Sequence, residues 1–213
     1  GLGVRSAGTI SASAGDLVLQ NNGWLTSTGR LQANGNIQIS VQENFTNSGQ
    51  VLSNQDTNIH AGRDFTNSGK LQVGGALTLS VNNADNDALG EIASNASEMN
   101  IVNSLINRGL VNGVKTQINA NTVNNMGTGR IFSDHLSIAS VKLTNDIEVR
   151  NGETVAPVIA ARDRLDLAIQ DTLLNREHAL IFSGGNMFIG GSLDANGNAI
   201  GSATQIINKS ATI

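Results

Sequence analysis

The chain contains three histidines, His60, His135 and His178, the side chains whose ordinary titration lies nearest neutrality. A hydrolytic triad needs one of them held against a serine and oriented by a carboxylate. They fall in different repeat units with no matching Ser or Asp motif, so no catalytic residue is assigned. Asp163 and Asp166, in Arg162-Asp163-Arg164-Leu165-Asp166, are the candidate paired carboxylates of a polysaccharide-degrading enzyme. The interleaved arginines instead read as a solvated ion-pair surface. Asn83, Asp85 and Asp87 have oxygen-ligand spacing suited to calcium. Ala88, however, stands where such a loop needs Gly, and no Glu occupies the twelfth position. A plain polar loop is expected there, with no metal. The sequence has neither a phosphate loop nor a dinucleotide fingerprint, so no cofactor is expected. Asn44, Asn95 and Asn208 open glycosylation-type triplets, as chance supplies in a chain so rich in Asn, Ser and Thr.

Composition narrows the classes further. Among 213 residues, 13 are basic and 17 acidic, a net charge of -4 with no runs, so no basic face exists to bind nucleic acid. No stretch approaches the roughly 18 uninterrupted apolar residues of a membrane-spanning helix. The absence of Cys removes disulfides, thiolate metal sites and thiol nucleophiles together. With 28 Asn and 24 Gly the chain is turn-rich, yet Val, Ile and Leu recur at regular places, which argues for a folded β protein.

The elements that would position any site come from an internal repeat. Phe45-Thr46-Asn47-Ser48-Gly49-Gln50-Val51 returns 20 residues later as Phe65-Thr66-Asn67-Ser68-Gly69-Lys70-Leu71. A Gly followed two residues on by Ile, Leu or Val recurs at Gly8, Gly29, Gly49, Gly69, Gly90, Gly109 and Gly129, in steps of 21, 20, 20, 21, 19 and 20. Beyond Gly129 the glycine is lost, but alternating apolar residues continue for two more units around Ile159 and Ile181. Within a unit the apolar period is two, as in Ile37, Ile39 and Val41, the pattern of a strand with one buried face. A 20-residue period of short strands and Gly/Asn corners predicts an all-β fold, a parallel β-helix of about nine coils. At roughly 4.8 Å per coil, its length would be about 45 Å.

Asn47, Asn67 and Asn107 each precede the unit glycine by two residues, while Asn125 and Asn175 sit four before the equivalent position. Stacked coils would align them into a hydrogen-bonded column, so Asn47, Gly49, Asn67, Gly69, Asn107, Gly109 and Gly129 are read as structural corner residues. Phe45 and Phe65 are expected to stack inside the coil. The step widens to 28 between Ile131 and Ile159 and to 32 between Ile181 and Ile213, so extra residues leave the coil in both places. The alternation around Asn151-Gly152 predicts a protruding hairpin at about 144–156. The segment 191–204 reads as a turn-rich loop or a second hairpin. If the chain binds a partner through these excursions, Glu148, Arg150, Asn151, Gly152, Glu153, Asp194 and Asn196 are the candidate contacts. The chain is read as one repeat region over 1–213, regular over 1–140 and less regular beyond. It begins at Gly1, and Ser210-Ala211-Thr212-Ile213 repeats Ala7-Gly8-Thr9-Ile10, so a piece of a longer protein is expected.

The Phe-Thr-Asn-Ser-Gly repeats, together with Ala161-Arg162-Asp163-Arg164-Leu165-Asp166-Leu167 and Ala179-Leu180-Ile181-Phe182-Ser183-Gly184-Gly185, resemble the filamentous haemagglutinin repeats of large two-partner secretion exoproteins. These include adhesins, haemolysins and contact-dependent growth inhibition effectors. The resemblance covers essentially the whole chain and is most specific over 158–213. It implies a right-handed parallel β-helix, secreted through the outer membrane by a partner transporter and displayed at the bacterial cell surface as a filament. Neither the family's amino-terminal secretion signals nor a toxin's catalytic cluster is matched. The expected role is therefore a structural shaft that presents adhesive or toxic domains, with no enzymatic activity. A module that binds a target-cell receptor or glycan through the excursions is the alternative, and a polysaccharide-degrading β-helix enzyme the second alternative.

Overall fold

The structure is a computed structural model that describes residues 2–150 and 152–213. Asn151 of the expected hairpin contacts lies outside the described residues. Among the described residues the secondary structure is entirely strand and turn, and the main sheet system is parallel throughout. Each coil lays down three strand segments, and each segment pairs in register with its counterparts in neighbouring coils. The first column runs from Thr9–Ala12 through Arg30–Ala33 and Gln50–Ser53 to Leu180–Ser183. The second runs from Leu17–Asn21 through Ile37–Val41 and Thr57–Ala61 to Asn186–Gly190. The third runs from Val4–Ser6 through Leu25–Ser27 and Phe45–Asn47 to Gln205–Lys209. The result is a β-solenoid of about nine turns.

Alternation decides which side chains go inside. In the first column Leu31, Val51, Leu71, Ile92, Val111, Ile131, Ile159 and Ile181 stack into one buried file. In the second, Ile39, Ile59, Leu79, Met99, Ile118, Ile138 and Leu167 form another. A parallel ladder places identical positions above one another, so a period of 20 in sequence becomes a continuous apolar column in space. Phe45 and Phe65 stack in the third column with ring centroids 5.4 Å apart, tilted by 37°, and both are buried.

In four successive units the strand continues around the corners for 17 residues, as in Lys70–Asn86 and Glu91–Asn107. Irregularities in the ladder, such as the shift between Ile101 and Ser104, absorb the bends. The corner between the third and first columns is tighter in the early coils. A Cβ on Gly49 would collide with the carbonyl oxygen of Gly29, and one on Gly69 with that of Gly49. Glycine is therefore required there by close backbone approach.

Candidate interaction surfaces on the excursions

The third-to-first corner holds a buried asparagine ladder. The Nδ2 of each Asn donates to Oδ1 of the next, from Asn47 through Asn67, Asn86, Asn107, Asn125 and Asn145 to Asn175 and Asn208, at 2.8 to 2.9 Å. The same Nδ2 atoms also donate to corner carbonyls of the following coil, such as Lys70 O from Asn47 and Arg130 O from Asn107. From Asn47 to Asn175 these side chains are fully buried. Three members, Asn86, Asn145 and Asn208, went unassigned in the sequence. Asn86 carries the same four-residue offset from Gly90 as Asn125 from Gly129, a readable signal. Asn145 and Asn208 have no corner glycine to measure from.

Glu148–Arg150 and Glu153–Val155 pair antiparallel as a hairpin between the third and first columns. Thr144, Asn145 and Asp146 still belong to the coil, in register with Asn124, Asn125 and Met126, so the excursion starts three residues later than the spacing suggests. The ladder bond of Asn145 holds them there. The hairpin lies back against the rod. Both carboxylate oxygens of Glu148 accept from Arg108 Nε, at 3.0 and 2.9 Å. Arg150 lies 3.8 Å from Asp87 and Arg108 lies 3.8 Å from Asp85. The hydrogen bond to Glu148 raises the Arg108 pKa. Burial, only partly offset by the Arg108 charge, pushes the Asp85 carboxyl up. Gly152, at φ +81°, forms the turn, and Glu153 is exposed.

The second excursion contains a short antiparallel pair, Ser192–Leu193 with Ala199–Ile200. Asp194 organises its turn by accepting from the Asn196 and Asn198 amides and from Asn198 Nδ2. The Asn198 hydrogen bonds hold the Asp194 carboxyl below its usual range. Asn196 is exposed at the tip. The loop folds over the second column, where Ser137 Oγ donates to Gly197 O and the Ala199 amide donates to Asp166 Oδ1, both at 2.7 Å.

That contact corrects one expectation. Arg162 and Asp134 do form an exposed pair, but Asp166 is fully buried beneath the excursion. It accepts from Arg164 Nε at 2.6 Å and faces His135 Nε2 at 3.1 Å. Burial alone would raise its pKa, but bonds from Arg164, the Ala199 amide and His135 outweigh it and leave the carboxyl below its usual range. Arg164 in turn sits 4.4 Å over the Phe188 ring.

Folding therefore gathers His135, Ser137 and Asp166, which sequence reasoning left apart. Ser137 and Asp166 address the same nitrogen, His135 Nε2, with Ser137 at 3.5 Å. A triad needs the acid on one ring nitrogen and the nucleophile on the other. Ser137, moreover, is buried with its hydroxyl committed to Gly197. The trio fastens a loop. His60 is exposed on the second column, and His178 occupies a left-handed corner at φ +66°.

The two excursions leave at different corners and form two separate surfaces. The family model described as haemagglutinin repeat matches residues 1–49, 42–177 and 158–213. The chain belongs to the haemagglutinin-repeat family. Searches of curated proteins and of solved structures return no match. In this haemagglutinin-repeat chain the matched segments span every coil and include both excursions. A haemagglutinin repeat folded as a solenoid fits the structural shaft of a filamentous adhesin-type protein.

Proposed function

We propose that this chain is a section of shaft from a secreted, cell-surface filamentous exoprotein, holding adhesive or toxic domains away from the cell that makes it. The carrying observation is the unbroken stack, in which apolar files run through the coils and the asparagine ladder continues from Asn47 to Asn208. Such a stack transmits position over distance with no moving part. The repeat family supports a two-partner secretion context, with an outer-membrane transporter as the secretion partner. A chain without Cys suits passage across the periplasm in an unfolded state.

The test is binding of the labelled protein to bacterial and epithelial cells, beside a version lacking both excursions. A shaft binds neither cell type saturably. Saturable binding that disappears with the excursions would replace this reading with a receptor- or glycan-recognition module.

A further inference from the structure

A solenoid whose coils touch only their neighbours is stabilised by nearest-neighbour terms and can fray one coil at a time. The two excursions break that rule. The hairpin leaves the third-to-first corner after Asp146. One turn back, that corner holds Gly127, where an added Cβ would lie 2.9 Å from Glu148 Cβ. Two turns back is Arg108, gripped by both oxygens of Glu148, and three turns back is Asp87, facing Arg150. Three turns span about 14 Å at roughly 4.8 Å each, and an extended arm advances about 3.3 Å per residue, so this arm runs along the rod axis. The second excursion repeats the arrangement at the next corner round. It leaves after Gly190, and its Ala199 amide bonds Asp166 one turn back while Gly197 O accepts from Ser137 two turns back.

We propose that the two excursions are axial braces, each coupling the coil that bears it to coils two or three turns earlier, so that the rod from Asp87 to Lys209 unfolds as one block. The reach of both is toward the N-terminal coils, and their spans overlap at the Arg130–Asp146 strand, which carries Ser137 and leads into the hairpin. Arg108 and Glu148 form a two-oxygen, charge-assisted pair, stronger than the looser contact of Arg150 with Asp87. The buried Asp166 and Ser137 bonds fasten the other brace where water does not compete. The inference concerns how the rod fails, and it stands whether or not the rod is a shaft.

Each brace can be removed without disturbing the coil path. Deleting 148–155 leaves four residues between Asn145 and Val158, the same number that join Asn125 to Arg130. Deleting 193–203 leaves three residues between Gly190 and Gln205, as between their register partners Ala168 and Thr172. The experiment is single-molecule pulling of the whole chain from its two ends. The native chain should release its first coils in steps of about 70 Å, one 20-residue coil each, and the braced block in a single step of roughly 400 Å. The double deletion should split the large step into single-coil steps. A Glu148→Gln, Ser137→Ala chain, which keeps both excursions, should show the same splitting if the deletion variant does not fold. A native chain that already unravels coil by coil through 87–209 would overturn the proposal. So would variants that keep the single large step.

Discussion

Asn47 Nδ2 donates to Asn67 Oδ1 at 2.8 Å, while Asn47 Oδ1 is buried without a hydrogen-bond partner, next in register to an equally unpartnered Ser27 Oγ. The ladder is thus polar, and it starts at Asn47 because serine is too short to reach the acceptor.

Ser27→Asn should extend the ladder by one rung and satisfy the orphan acceptor. The expected gain is about 1 kcal/mol, the net worth of one buried hydrogen bond, read as a higher denaturant midpoint. No gain would mean that the corner at 27 has no room for the amide.

Asn107→Ala removes a rung at mid-ladder. Asn86 Nδ2 then loses its side-chain acceptor and Asn125 Oδ1 its donor, both inside a dry corner. A loss of roughly 2–4 kcal/mol is expected, since each stranded group carries a desolvation cost. The same substitution at exposed Asn112 should cost little, and equal losses at both sites would refute the distinction.

Phe65→Ala opens a hole in the third-column file beneath Phe45. About 3–5 kcal/mol should be lost on equilibrium unfolding. Gly49→Ala attacks the same region through the backbone, because its methyl meets the Gly29 carbonyl oxygen. It should disturb local hydrogen exchange in the 29–50 corners more than the core cavity does.

Acid should loosen the second excursion before the coils. The Asp166 carboxyl is below its usual range in the folded chain, so its stabilising contribution is complete above the unfolded value near 3.8 and is lost as pH falls through the folded value. Protection of the Ala199 amide should therefore be flat at neutral pH and decline below about pH 4. Asp166→Asn should remove that acid limb and cost about 2–3 kcal/mol at neutral pH by leaving Arg164 without its carboxylate. An unchanged acid limb in the variant would assign it to another group.

Asp85 should behave with the opposite sign. Its pKa is raised mainly by burial, so its charge opposes folding above that pKa and the penalty fades as pH falls. Asp85→Asn should raise the denaturant midpoint at pH 7 and leave it nearly unchanged at pH 3. A lower midpoint at pH 7 would show that the Arg108 contact outweighs the burial.

Much of this architecture is legible in the chain itself. The period-two alternation and the 20-residue return of Phe45 as Phe65 specify parallel coils, because in-register stacking is the arrangement that buries every such residue at once. The corner glycines and the aligned Asn47, Asn67 and Asn107 follow from the same translation. Repetition along the chain becomes proximity in space, so what is periodic can be read without coordinates.

What is not periodic could not be read that way. The widened steps locate two excursions but say nothing of which way they fold, and only tertiary structure lays both back along the rod. Arg108 and Glu148 are 40 residues apart, and Ser137 and Gly197 are 60 apart. Both distances are multiples of the 20-residue period, but so is every spacing between equivalent positions two or three coils apart, so the period does not single out those partners. Asp166 illustrates the limit: its strand position points outward, and alternation alone marks it as solvated. It is buried because the later excursion covers it, and its charge is kept because Arg164, His135 and the Ala199 amide converge on it there.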